Sequence, residues 1–157
     1  MLNIAGTWRG TYTYDLEGER ISPPSVNFTL ILQQGWLRRI TGTFQDDPDL
    51  GLPLQASVQG RVKGAGLFFR KIPAEFYTLG EQGLRPVTGY VEQAFGEQVR
   101  GNPRPPHIHY RGRLDRGSDL VDGAWHIPSY LLQLRSTRGC LVIPETRGTW
   151  HMRRIAA

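Results

Sequence analysis

Cysteine is almost missing from this chain. Cys140 stands alone among 157 residues, so no intramolecular disulfide can form and nothing argues for an oxidising compartment. It sits in an apolar run, Cys140-Leu141-Val142-Ile143, where a buried and inert thiol is expected. Lysine is nearly as rare: Lys63 and Lys71 stand against 17 arginines. The base composition of a GC-rich genome accounts for such a bias, and so does recognition of phosphate or carboxylate by a bidentate guanidinium. No run of about 18 apolar residues occurs, which leaves no membrane-spanning helix. No basic-apolar-small leader opens the chain, which begins Met-Leu-Asn-Ile-Ala-Gly; the expectation is a cytoplasmic protein. Nucleophile elbow, Gly-rich phosphate loop and zinc-protease signature are all wanting, so a non-enzymatic protein without cofactor or metal is expected.

Glycine and proline are plentiful, at 19 and 11 residues. That suits many short strands joined by turns better than a helical protein. The length predicts one domain over 1–157, large enough to bury a core without staples. The tripeptide Gly6-Thr7-Trp8 near the start returns as Gly148-Thr149-Trp150 near the end. Between them lie Gly42-Thr43-Phe44, Gly66-Leu67-Phe68-Phe69 and Gly123-Ala124-Trp125. A glycine lets a strand bend at a barrel corner, and a neighbouring aromatic fills the space inside.

Period-2 alternation occurs in eight places. Trp8, Gly10, Tyr12 and Tyr14 share one face of the first; Val26, Phe28, Leu30 and Leu32 share one face of the second, with Ile31 out of phase. Ile40, Gly42 and Phe44 mark the third, and Leu54, Ala56, Val58, Gly60 and Val62 the fourth. The fifth runs through Leu67, Phe69 and Lys71, with Phe68 on the wrong side. Ile108, Tyr110, Gly112 and Leu114 form the sixth; Val121, Gly123, Trp125 and Ile127 the seventh; Gly148, Trp150, Met152 and Arg154 the eighth. The prediction is an all-β, single antiparallel up-and-down barrel of about eight strands. Two stretches interrupt it. Residues 73–106 hold too many breakers for a strand, but Tyr90, Val91, Ala94, Phe95 and Val99 predict a short amphipathic helix near 88–99. Residues 128–146 read either as a further hairpin or as an excursion packed on the barrel.

The pattern resembles the calycin superfamily of lipocalins, fatty-acid-binding proteins and avidins. Those barrels carry a Gly-x-Trp on the first strand and an arginine on the last that packs over the tryptophan; Trp8 and Arg154 match these positions, with Arg153 the alternative in a slipped register. A group of small bacterial barrel proteins of uncharacterised function is similar in its W-x-G-x-Y opening and later Y-x-G and G-x-W steps. The resemblance implies a calycin-like barrel. It brings no activity, and the ligand contacts of avidins have no counterpart here.

Tyr12, Tyr14, Lys71, Tyr110 and Arg154 are in phase with the apolar face. An apolar cavity with a few convergent polar groups is the usual form of a small-molecule site. The expected ligand is small and largely apolar, held by Trp8, Tyr12, Tyr14, Phe69, Lys71, Tyr110, Trp125 and Arg154. A buried Lys71 or Arg154 needs an anion, which a ligand carboxylate or phosphate would supply. The plainer readings are that Arg154 stacks on Trp8 to close the barrel floor and that Lys71 snorkels to water at the rim. Asp46-Asp47-Pro48-Asp49 reads as a solvated acidic turn. His107, His109, His126 and His151 all fall on the outer face and read as surface histidines rather than ligands. Arg9, Arg61, Arg70, Arg111, Arg113 and Arg153 also alternate outward. The second functional expectation is therefore a protein- or nucleic-acid-interaction module, using that basic face or the 128–146 segment, with a solidly packed barrel. A monomer or homodimer fits either.

Overall fold

A computed structural model describes residues 2–15, 25–48, 51–80, 83–135 and 139–157. Eight long strands close into an antiparallel barrel: β1 (Gly6–Tyr14), β2 (Ser25–Gln34), β3 (Arg39–Asp46), β4 (Ala56–Lys63), β5 (Gly66–Ile72), β8 (Ile108–Asp115), β9 (Leu120–Ile127) and β12 (Thr146–Ala156). Each pairs with its sequence neighbour around the ring, and β1 pairs with β12 to complete it. Closure leaves no free sheet edge in the barrel, which removes the usual route to edge-to-edge aggregation.

The inward side chains form one core that includes Trp8, Phe28, Phe44, Phe69, Tyr110, Trp125 and Trp150. The two apolar residues out of phase, Ile31 and Phe68, stand outside and are 46% and 45% exposed. Leu54, expected on the fourth strand, precedes it and is 44% exposed. The Gly-x-Trp steps work by close packing. A methyl on Gly148 would strike the Thr13 carbonyl and the Trp125 indole; that indole lies across the glycine and donates from Nε1 to the Thr13 carbonyl at 3.0 Å. One strand on, the Trp150 ring covers Gly112 and donates to the carbonyls of Arg111 (3.2 Å) and Ala124 (3.1 Å).

One end of the barrel is shut. Trp8 is fully buried there, its Nε1 donating to the Ile4 carbonyl at 3.0 Å. The Arg154 guanidinium lies 4.8 Å from the Trp8 ring centroid, donates to the Asn3 carbonyl and reaches Asp119 at 3.7 Å.

The opposite end carries both interruptions. Between β5 and β8 come a hairpin, β6 (Tyr77–Gly80) with β7 (Gly83–Pro86), and one helix, α1 (Val87–Phe95). The hairpin occupies a stretch read as strand-free. The helix starts one residue before the predicted span and stops short of it because Gly96, at φ +64°, caps it in the left-handed region. Val87 and Val91 are buried, whereas Ala94 and Phe95 face water. Between β9 and β12 lies a second hairpin, β10 (Tyr130–Gln133) with β11 (Cys140–Ile143), outside the barrel. The two interruptions build a cap with its own small core of Phe76, Val87, Val91 and Leu132. Backbone bonds from Arg100 to Gln133 and from Arg135 to Gln98, each 2.7 Å, tie them together. Cys140 is exposed, not buried: a two-stranded hairpin resting on the cap by one face leaves the other to solvent. The turn at 136–138 and Asp49 lie outside the described residues. Among the described residues no helix is long and apolar enough to cross a membrane.

Candidate ligand site at the barrel mouth

At the capped end the inward alternation of β3 runs one step further than the sequence reading took it. Ile40, Gly42 and Phe44 are followed in phase by Asp46, which is 1% exposed. Lys71, on β5, is also 1% exposed, and its ammonium lies 2.8 Å from Asp46 Oδ1. The other carboxylate oxygen accepts from the Tyr12 hydroxyl at 2.9 Å and from the Leu52 amide at 2.8 Å. Below the ammonium, the Phe44 ring centroid is 3.9 Å away and that of Tyr12 5.3 Å. Lys71 therefore neither snorkels to the rim nor awaits an anion from outside. Its counter-charge is the chain's own Asp46, and the supposed solvated turn begins one residue later. The alternation itself was the available signal: an acid in phase with three inward residues, two strands from an inward lysine.

Electrostatics follow from burial. Desolvation pulls the Lys71 ammonium below its ordinary value, while the neighbouring Asp46 charge and hydrogen bond oppose that shift. Tyr12 is raised well above the usual phenol range, mainly by burial, with Tyr14 and Asp46 adding to it. Tyr110 is raised for the same leading reason. Tyr14 is pushed up to about 12, again chiefly by burial and secondarily by Asp46. All three phenols stay protonated at neutral pH and can donate.

Above this network lies a cleft between barrel and cap. The barrel supplies Tyr12, Tyr14, Lys71, Tyr110, Trp125 and Ile127; the cap side supplies Pro73, Phe76, Tyr77, Leu84 and Pro106. The enclosed space is about 60 Å³, room for a few waters or for one end of a small molecule. Its walls are mostly apolar. Tyr14 and Trp125 meet edge to face with centroids 5.3 Å apart, which fixes the ring on the barrel side of the opening. Phe69 lies deeper and packs flat on Tyr110 at 4.8 Å, outside the cleft.

Of the eight residues expected to line one site, the structure brings together Tyr12, Tyr14, Lys71, Tyr110 and Trp125. Trp8 and Arg154 belong to the shut end, at the opposite pole, and Phe69 is core. Period-2 phasing says which side of the sheet a residue faces but not how far along the barrel axis it sits, so one inward face is spread over both ends. Among the described residues no group of three His, Cys, Asp or Glu is placed to hold a metal ion. His109 and His126 stack at 5.0 Å on the outer surface.

No family model, no curated protein and no solved structure matches the chain.

Proposed function

We propose that this is a calycin-like, non-enzymatic binding protein that takes a small, largely apolar ligand at the barrel mouth, under the cap. The observation that carries the reading is the apolar cleft set over a complete buried polar network of Asp46, Lys71 and Tyr12. Trp8 on the first strand with Arg154 stacked over it supports the calycin-like assignment. An anionic ligand is no longer favoured: Lys71 is already neutralised, and a second anion beside Asp46 would be repelled. The polar handle is the Tyr14 hydroxyl, protonated at neutral pH and at the cleft wall. The ligand sits at the mouth rather than along the barrel axis, because aromatic side chains fill the interior. Nothing in this reading calls for an oxidising compartment, and a cytoplasmic setting suits it.

Native mass spectrometry of the protein purified from its own host, without refolding, tests the proposal. An added mass that is lost on denaturation is expected. Ile127→Trp, which fills the cleft, should abolish it with the fold intact by circular dichroism. An apo mass in the parent protein, together with unchanged Trp125 emission across a panel of single-ring and short-chain apolar compounds, would overturn it.

A further inference from the structure

The outer surface opposite β1 carries a second feature that the mouth site does not use. Cross-strand register places Arg39, Arg61, Phe68 and Arg111 side by side on β3, β4, β5 and β8. One step along the strands, Thr41, Gln59, Arg70, His109 and His126 form a parallel row. Neither row contains an acid. Among the described residues none of Arg39, Arg61, Arg70 and Arg111 has a carboxylate partner within salt-bridge distance; Arg70 reaches only the Gln59 amide, at 3.4 Å. These side chains border a shallow groove with Leu37 at one end and His126 at the other.

Two details set this face apart from an ordinary solvated surface. Arg39 and Arg61 are direct cross-strand partners, an arrangement that costs stability because like charges face each other. The β2–β3 turn places Leu37 and Arg38 at φ 56° and 60°, the left-handed conformation that Asn-Gly fills without strain. The residues kept there present Trp36 and Leu37 to solvent at 84% and 75% exposure. Stability is given up twice in one region, and both times the result is exposed arginine or exposed apolar surface.

We propose that this face binds single-stranded nucleic acid. Neighbouring strands are ~4.8 Å apart, so Arg61 and Arg111 flank the Phe68 ring at one strand's distance on either side. A ring with an arginine on each neighbouring strand offers a base somewhere to stack and gives the phosphates beside it their counter-charges. Trp36, in the turn beside Arg39, is a second aromatic in the same region. A duplex keeps its bases stacked internally and would leave Phe68 without a role. An acidic peptide would use the arginines but has no flat group to lay on the ring. The row from β3 to β9 crosses four strand spacings, roughly 19 Å, enough for a short single-stranded site.

The test is fluorescence anisotropy with a labelled, mixed-sequence single-stranded DNA of about 20 nucleotides, longer than the usual single-module site. Saturable binding at low salt is expected, with log K falling against log salt at a slope of about −3 if four arginines meet phosphates. Arg61→Gln and Arg111→Gln should each flatten that slope by about 0.7. Phe68→Ala should weaken binding roughly ten-fold and leave the slope unchanged. Arg9→Gln, across the barrel, should change nothing. Because Arg61, Phe68 and Arg111 are exposed, their variants should melt no lower than the parent, and Arg61→Gln, which ends the repulsion with Arg39, somewhat higher, so a loss of binding cannot be read as unfolding. Absence of binding at low salt would overturn the proposal. So would equal affinity for the matching duplex with no effect of Phe68→Ala, or competition by polyglutamate as effective as by the unlabelled strand.

Discussion

Asp46 and Lys71 are separated by β4, yet both side chains turn inward at the mouth and meet over Phe44. Taking two charges out of water costs several kcal/mol per ion, and the pair recovers that only because each partner is well bonded. Asp46 has three donors: the Lys71 ammonium, the Tyr12 hydroxyl and the Leu52 amide. Lys71 has the carboxylate and two aromatic faces. The two residues are therefore unequal under substitution. Asp46→Asn leaves a buried ammonium with no counter-charge and should cost about 3–5 kcal/mol of unfolding free energy. Lys71→Met leaves a carboxylate that keeps two donors and should cost less. The double variant should be more stable than the sum of single losses predicts, with a coupling of about 0.5–3 kcal/mol. Urea unfolding of the four proteins measures it. Additive losses would mean that the ion pair, despite its 2.8 Å geometry, contributes nothing as a pair.

Elements differ sharply in how much of them a single sequence discloses. Barrel strands are legible because each has a wet side and a dry side, so residues such as Val58, Gly60 and Val62 alternate against Gln59 and Arg61. The tryptophans mark where glycines admit a ring. The cap is harder to read. Its β6 and β7 strands are four residues each, too short to show a period, and Pro73 ahead of them and Pro86 at the end of β7 look like loop residues. Its helix buries Val87 and Val91 and leaves Phe95 exposed, so apolar spacing alone overstated its length; Gly96 was the better guide. The site was half legible for a related reason. Phase identified Lys71 and the tyrosines as inward, but Asp46 stood in a run of acids that resembles a turn. The cap's core is separate from the barrel's, which makes its stability separately testable. Leu132→Ala removes a fully buried side chain from that small cluster, a loss of about 2–5 kcal/mol at such a site. Hydrogen exchange should accelerate across β6, β7, α1, β10 and β11 while strands β1, β8, β9 and β12 keep their protection. Uniform loss of protection in both would show that cap and barrel unfold as one unit.

For the whole molecule, charge is distributed by side rather than evenly. The net charge is +5, yet the acid–arginine pairs seen among the described residues, Asp15 with Arg147 and Asp119 with Arg154, lie away from the two basic rows. The two rows across β3, β4, β5 and β8 thus bring several arginines together with no acid among them, and charge of one sign gathered in one place costs compact-state stability through self-repulsion. Stability and binding should then respond in opposite directions to the same change. Raising salt screens repulsion over about a Debye length, so the melting temperature of the free protein should rise between low and physiological ionic strength while affinity for a polyanion falls. Arg39→Glu makes the comparison at one position. It turns a like-charge pair with Arg61 into an opposite-charge pair, a gain of about 0.2–1 kcal/mol on one sheet face, and it removes one phosphate contact and adds a repulsive one. The variant should melt higher than the parent and bind single-stranded DNA more weakly. If it melts lower, Arg39 is held by structure rather than opposed by Arg61, and the like-charge cost assigned to this face does not exist. If it melts higher and binds equally well, the arginine rows repel one another but do not meet the strand.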